Sequence, residues 1–206
     1  MFSLFLRGFA LGLAIAASPG PIFFVCVRRT LVQGRWVGLF SGLGVATADG
    51  FYATIATFGV AALTTAFVAG RRPLAIVGGA VLVLLGASIL LERRKLHNGA
   101  PVNSGRGLVR AYLTTLGLTI TNPATIISFA ALAATLGLGT NGSPVRPALV
   151  ALGVLLGSAA WWCVLVVAAS ILRSRLTLRV VQAISTFSGL AIAVLGILAV
   201  ISAFSG

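Results

Sequence analysis

The stretch GFALGLAIAASPGPIFFVCV runs from Gly8 to Val27 and holds twenty residues without a charged side chain. A helix of this length crosses about 30 Å of hydrocarbon at about 1.5 Å per residue. Near its middle stands Ser18-Pro19-Gly20-Pro21, where two prolines flank a glycine. Each proline lacks an N–H donor, so carbonyls one turn earlier lose their helical partners. Those carbonyls need other donors in lipid, and the pattern therefore predicts a broken membrane helix that lines a cavity.

The composition extends this interpretation to the whole chain of 206 residues. Apolar residues make up 59% and charged residues only 8%, whereas soluble domains carry about 25% charged residues. A soluble surface cannot be built from such material, so we predict an all-α integral membrane protein. The six predicted spans are Gly8–Val27, Trp36–Val60, Pro73–Leu91, Ala111–Leu138, Pro147–Leu172 and Val180–Phe204.

The charges lie mainly between the apolar runs. Fifteen basic residues stand against only Asp49 and Glu92, a net charge of +13. Small arginine clusters at span ends fit anionic headgroups and the positive-inside rule, and no segment resembles a nucleic-acid-binding domain. Eleven basic residues fall in the first, third and fifth connections, so we expect these connections in the cytoplasm and both termini outside it.

Matching positions in the two halves indicate an internal repeat. We predict one transporter domain, 1–206, with repeat one at 1–91, a basic loop at 92–110 and repeat two at 111–206. The matches keep nearly constant offsets of 104 to 110 residues, namely Pro19 with Pro123, Gly44 with Gly153, Asp49 with Ser158, Tyr52 with Trp161, Gly79 with Gly189 and Gly86 with Gly196. Three spans per repeat is an odd number, so the halves would enter the membrane with opposite polarity.

A second break is predicted at Asn122-Pro123, the position in the fourth span that corresponds to Pro19. Either break alone is equally explained as a packed kink, with the asparagine bonded to a neighbouring helix. Two breaks at corresponding positions favour a central binding site. Broken helices expose N–H groups at one end, which suit a carboxylate, and carbonyls at the other, which suit an ammonium group or cation.

Asp49 is the only acidic residue inside a predicted span. An unpaired carboxylate near the bilayer centre costs at least about 2.5–3.5 kcal/mol on insertion scales, which makes Asp49 a functional candidate. It could exchange a proton during coupling or bind a substrate ammonium group. The structural alternative is a polar contact with a serine or threonine, for which Thr47 and Thr54 are near in sequence.

Small and aromatic residues complete the pattern. Glycines on the second and fifth spans form faces for close helix packing, within one chain or across a homodimer. Trp161 and the adjacent Trp162 either wall a cavity or pack in the core. We expect Cys26 and Cys163 to be small buried residues, and neither a metal site nor a cofactor site is predicted.

The sequence resembles the LysE/RhtB family of bacterial amino-acid exporters over nearly its whole length. The resemblance rests on the size, the six spans, Pro19-Gly20-Pro21, Gly44 through Asp49, Asn122-Pro123, and Gly157-Ser158 before Trp161-Trp162. It implies proton-driven export of amino acids or related metabolites across the cytoplasmic membrane, with Asp49 and the two breaks at the working centre. The chain departs from the family at Ala124, where many members carry a basic residue, often lysine.

These features predict a secondary exporter that lies in a lipid bilayer and couples export to the movement of a proton. The expected translocation residues are Ser18, Pro19, Gly20, Pro21, Asp49, Tyr52, Asn122, Pro123 and Trp161. An intramembrane enzyme would need a nucleophile with a base or a metal, which the spans lack. A metal-ion or other small-solute transporter or channel of related architecture is the alternative, although it would call for clustered acidic or thiol ligands.

Overall fold

The computed structural model describes residues 1–58, 69–91, 105–136 and 144–205, and every element in this part of the chain is a helix. We number these helices in chain order. They are α1 Phe2–Ala16, α2 Pro21–Gln33, α3 Arg35–Thr57, α4 Arg71–Leu91, α5 Gly105–Ile120, α6 Pro123–Leu136, α7 Val145–Arg175 and α8 Leu178–Ser205. The all-helical prediction is confirmed for the described residues.

Three helices are individually long and apolar enough to cross a membrane, namely α4, α7 over Val145–Arg173 and α8 over Arg179–Phe204. The pair α1 and α2 meets the same test as one broken span, bent by 80°. Helix α3 has 23 residues, but polar side chains such as Asp49 lower its hydropathy. Helices α5 and α6 have 16 and 14 residues and are each short for a span. The predicted count of six spans therefore stays a prediction.

Helices α4 and α8 pack closely through glycines. A Cβ added to Gly79 would lie 2.7 Å from the carbonyl oxygen of Gly196, and one added to Gly86 would lie 2.7 Å from that of Gly189. Residue numbers rise along one helix as they fall along the other, so α4 and α8 are antiparallel. Contact this close requires residues without side chains on both helices.

The other main contacts place α1 along α7 and α3 against both α5 and α7. Gly8 and Gly12 of α1 lie against the backbone of Val150 and Val154 of α7. Numbers rise together along both helices, so α1 and α7 run parallel. Helix α3 thus lies inside the bundle, where its many small residues allow neighbours to approach.

Large apolar side chains cover the outside of the bundle. Leu84 of α4, Val164 of α7 and Phe187 of α8 are each at least 60% exposed. Such a surface is unfavourable in water and favourable in hydrocarbon. The chain is therefore a multi-pass membrane protein whose outer face contacts lipid.

Two expectations about small residues need refinement. The glycine faces are used within the chain, since Gly42 of α3 lies against Trp162 and Gly153 of α7 lies against Phe9 of α1. They therefore give no support to a homodimer, which remains a prediction. Cys26 is buried as expected, but Cys163 is exposed on α7, because its position falls on the outer side of that helix.

Candidate translocation site

The first predicted break is present between α1 and α2. Pro19 cannot donate the helical hydrogen bond to the Ile15 carbonyl, and that oxygen instead accepts from the N–H of Ser18 at 3.2 Å. Gly20 is extended and precedes Pro21, the first residue of α2, where a missing N–H costs nothing. No side chain in the described part of the chain caps this end of α2, so its first N–H groups stay available to a ligand.

The second break separates α5 from α6 at Thr121 and Asn122. The side-chain oxygen of Asn122 accepts a hydrogen bond of 3.1 Å from the backbone N–H of Ala124 and so caps the start of α6. The alternative in which Asn122 bonds to a neighbouring helix therefore does not hold for its oxygen, which bonds at the start of α6. Its NH₂ group donates no hydrogen bond within the described part of the chain.

Asp49 is 3% exposed on α3 and faces α7. Ser158 Oγ of α7 donates a hydrogen bond of 2.7 Å to Asp49 Oδ2. The suggested neighbours Thr47 and Thr54 instead donate to the carbonyls of Leu43 and Gly50 on their own helix. Such bonds to a carbonyl one turn earlier are the usual state of a helical threonine in an apolar environment.

The two breaks and Asp49 meet in a cavity of about 130 Å³. We call it the central cavity. Six of the predicted site residues line it, namely Ser18, Pro19, Gly20, Pro21, Asp49 and Asn122. Ala124, the position that departs from the family pattern, lines it as well. Residues more than 100 positions apart in sequence thus share one small cavity whose wall includes several polar side chains.

Tyr52, another predicted site residue, does not line this cavity but contacts the helix ends at the second break. Its hydroxyl donates a hydrogen bond of 2.5 Å to the carbonyl oxygen of Ile120, the last residue of α5. In an unbroken helix that oxygen would accept from Ala124, whose N–H is engaged by Asn122. The Tyr52 ring also stacks on Phe129 of α6, with centroids 5.7 Å apart. Tyr52 therefore connects α3 to both sides of the second break.

Trp161 does not line the central cavity, whereas its neighbour Trp162 does. Trp161 packs against the apolar core, and Trp162 is 3% exposed. Neither indole N–H has a hydrogen-bond partner among the described residues. For Trp162 this leaves a buried donor beside the cavity. The side chain of Pro123 lies outside the described residues.

Sequence reasoning also missed three hydroxyl side chains in the cavity wall, Thr119, Thr125 and Ser128. Thr119 and Ser128 donate to carbonyls of their own helices, Thr115 and Ala124. Their hydroxyl oxygens remain acceptors for a ligand. The available signal was their position within one or two turns of Asn122 on the two sides of the break. No group of three histidine, cysteine or acidic side chains comes together within the described ranges.

A bundle of lipid-facing helices around a cavity that is lined by polar side chains and by the ends of interrupted helices is the arrangement of a membrane transporter. The chain belongs to the LysE type translocators, since the model of that family matches residues 13–203. The protein is thus a membrane transporter for a small molecule, and the resemblance inferred from the sequence is confirmed.

Two relatives illustrate the match. The chain is 25% identical over 208 residues to the "Putative amino acid efflux protein YcgF" of Bacillus subtilis (strain 168), covering 94% of this chain and 93% of that protein. It is 42% identical over 66 residues to the "Uncharacterized membrane protein YahN" of Escherichia coli (strain K12). The second match covers 32% of this chain and only 30% of YahN. No solved structure matches the chain significantly.

Proposed function

We propose that the protein exports amino acids or related small metabolites from the cytoplasm by proton antiport, with the central cavity as its binding site. The observation that carries this proposal is the convergence of both helix breaks and Asp49 on that cavity. The whole-length similarity to a protein named for amino acid efflux supports the substrate class. The protein would act in the cytoplasmic membrane of a bacterium.

The cavity offers separate places for the two charged ends of an amino acid. The N-terminus of α2, which no described side chain caps, offers backbone N–H groups to a carboxylate, and Trp162 in the cavity wall has an indole N–H without a partner among the described residues. Asp49 is the acidic residue for an ammonium group. Asp49 cannot hold a proton and an ion pair at once, so protonation from outside would release the substrate and deprotonation inside would accept the next one.

Contacts between α4 and α8 support two inverted repeats. An offset of 110 residues takes Gly79 to Gly189 and Gly86 to Gly196. If each residue is replaced by its counterpart in the other half, the contact of Gly79 with Gly196 becomes the contact of Gly189 with Gly86. Both contacts are present. A two-fold axis between halves duplicates each contact in this way, and antiparallel α4 and α8 fit opposite polarity.

Contacts around α3 and α7 give independent support. Gly44 of α3 lies against the carbonyl of Tyr112, and Gly153 of α7 lies against Gly8. The offset of 109 takes Gly44 to Gly153, and the offset of 104 takes Gly8 to Tyr112. The two contacts are therefore counterparts. With two broken helices counted as single spans, these repeats give the six-span layout.

The basic ends of several helices gather at one end of the bundle, which supports a single cytoplasmic face. Arg28 donates a hydrogen bond of 3.0 Å to Ser185 of α8, and Arg29 donates one of 3.0 Å to the Ala111 carbonyl of α5. The end of α2 thereby meets the early turns of α5 and α8. By the positive-inside rule this end faces the cytoplasm and both termini lie outside.

An export assay tests the proposal. A strain expressing the protein and an empty-vector strain are grown on a panel of amino acids at inhibitory concentrations. We expect protection against at least one of them, together with efflux of that radiolabelled compound that collapses with the proton gradient. A protein that changes neither growth nor efflux for any member of the panel contradicts the proposal.

A further inference from the structure

A second cavity, of about 270 Å³, lies at the arginine-rich end of α2. We call it the arginine cavity. Arg28 and Arg29 of α2 line it together with Arg110 of α5. Arg28 follows Pro21, which lines the central cavity, by seven residues, so these two residues lie about 10 Å apart along α2. None of the sequence features assigned to the translocation site falls in this cavity.

Apolar side chains separate the two cavities. Val25 and Cys26 of α2 pack with Val45 of α3 and Leu118 of α5 in one buried cluster. Val25 also forms part of the arginine cavity wall, and Val45 part of the central cavity wall. The cavities are therefore two compartments along the same helices, closed from each other by a short apolar barrier.

Arg29 is held in place with donors to spare. Its Nη1 donates to Ser41 Oγ at 2.9 Å and to the carbonyl oxygen of Ala111 at 3.0 Å. A guanidinium group carries five N–H donors on three nitrogens. Its other two nitrogens make no hydrogen bond within the described part of the chain. Arg29 thus resembles a preorganised anion-binding arginine more than a solvated one.

The charge of the arginine cavity calls for an anion. The whole chain has two acidic residues, and Asp49 lies in the central cavity. The other, Glu92, lies outside the described residues. Even if its carboxylate paired with one of the three guanidinium groups, it would balance only one positive charge. At least two positive charges stay uncompensated by protein. Partly buried like charges at close range favour binding of an oxyanion, which guanidinium groups bind with paired donors.

We propose that the arginine cavity is a second binding site, which holds the carboxylate of the outgoing substrate on the cytoplasmic side of the apolar barrier. This inference rests on the proposed export of amino acids for the identity of the ligand. The positive site raises the local concentration of carboxylates at the cavity mouth. The substrate then passes the barrier to the central cavity when the two halves rock.

Acetate is the probe for this site, because it carries a carboxylate and little else. The melting temperature of the full-length protein in phosphatidylcholine nanodiscs is titrated with sodium acetate, against sodium chloride at equal ionic strength. We expect a saturable stabilisation by acetate in the wild type. Arg110→Gln should weaken the apparent affinity about tenfold, because it removes one charged hydrogen-bond donor. Arg110 is exposed, so this variant is expected to fold.

Arg106→Gln is the matched control, since Arg106 is an exposed arginine one turn earlier on α5 that does not line the cavity. It should keep the wild-type affinity for acetate. Equal acetate responses in wild type, Arg110→Gln and Arg106→Gln, or no response in any of them, overturn the inference. Phosphatidylglycerol nanodiscs supply the other source of an oxyanion. Loss of the acetate response there, without added substrate, overturns the assignment to substrate in favour of a lipid headgroup.

The transport arm separates this inference from the proposed function. Arg110→Gln should raise the KM for export about tenfold and leave kcat near the wild-type value, since it weakens entry and not the later steps. Unchanged KM in a variant that has lost acetate binding overturns the inference and leaves the export function standing. If acetate binding depends on Arg110 but the protein exports no amino acid, the result supports a carboxylate site in the arginine cavity and contradicts the export function.

Discussion

Asp49 and Ser158 are joined by a hydrogen bond of 2.7 Å between helices α3 and α7, although 109 residues separate them in the chain. The same offset of 109 relates Gly44 to Gly153, so Asp49 and Ser158 occupy corresponding positions in the proposed repeats. A residue that contacts its own counterpart lies on the axis relating the halves. In the proposed arrangement Asp49 would therefore lie where movement of one half against the other changes its surroundings most directly.

The first prediction concerns the stability of this pair. Ser158→Ala removes a buried donor and leaves the Asp49 carboxyl group without that partner. We expect a loss of about 1–3 kcal/mol in the free energy of unfolding, measured by denaturant titration in mixed micelles. Asp49→Ala removes the acceptor of the same hydrogen bond, so in the double variant Ser158→Ala/Asp49→Ala the two changes in the free energy of unfolding should depart from additivity by about 0.5 kcal/mol or more. Strict additivity would show that the hydrogen bond contributes nothing.

A second prediction concerns Tyr52 and the carbonyl freed at the second break. Tyr52→Phe keeps the ring stacked on Phe129 and removes the donor to the Ile120 carbonyl. We expect a loss of about 1–3 kcal/mol, because the oxygen is left unsatisfied away from water. Tyr112→Phe is the control, since its hydroxyl bonds to Thr47 at an exposed position. Equal melting temperatures for both variants would contradict the role given to Tyr52.

A third prediction tests the close approach of α4 and α8. Gly79→Ala places a Cβ 2.7 Å from the Gly196 carbonyl oxygen, so the two helices have to separate. We expect a loss of about 1–3 kcal/mol in the free energy of unfolding. Gly117→Ala on α5 is the control, because among the described residues no atom outside the adjoining backbone of α5 lies within 4 Å of the added Cβ. There the change should stabilise the helix by up to about 1 kcal/mol.

The helix breaks and Asp49 were predictable from the sequence, because proline and a charge in an apolar run have large local consequences. The partner of Asp49 was not assigned from the residues around it. Thr47 and Thr54 were the nearest hydroxyls in sequence, yet each bonds to a carbonyl of its own helix. The actual donor, Ser158, comes from a helix packed against α3. The repeat alignment matched Ser158 to Asp49 but predicted no contact between them.

Which of the two adjacent tryptophans lines the central cavity also depends on packing between helices. Residues next to each other on a helix point about 100° apart, and α7 is apolar on nearly all sides. Its sequence therefore has no clear polar face from which to orient Trp161 or Trp162. The contact of Gly42 with the Trp162 side chain fixes this orientation in the structure. The number of membrane spans is still a prediction for a related reason. Helix α3 carries polar residues of the site, and these lower its mean hydropathy.

A fourth prediction addresses substrate selectivity at Ala124. Ala124→Lys introduces a cation at the central cavity, where many members of the family carry a basic residue. We expect altered ranking among amino acids, with a lower KM for substrates that bear a second carboxylate. Ala124→Met adds a side chain of similar length without charge and serves as the control. An identical change in both variants would assign the effect to size, and no change in either would remove Ala124 from the binding site.

The central claim is that Asp49 couples proton movement to export through the central cavity, and Asp49→Asn tests it most directly. The substitution keeps the shape and the contact with Ser158 but removes the exchangeable proton. In proteoliposomes with an imposed pH gradient, we expect the variant to lose gradient-driven accumulation and to exchange labelled for unlabelled substrate only with a raised KM, because the ammonium group loses its carboxylate partner. Accumulation by Asp49→Asn with the wild-type rate and pH dependence would contradict the account.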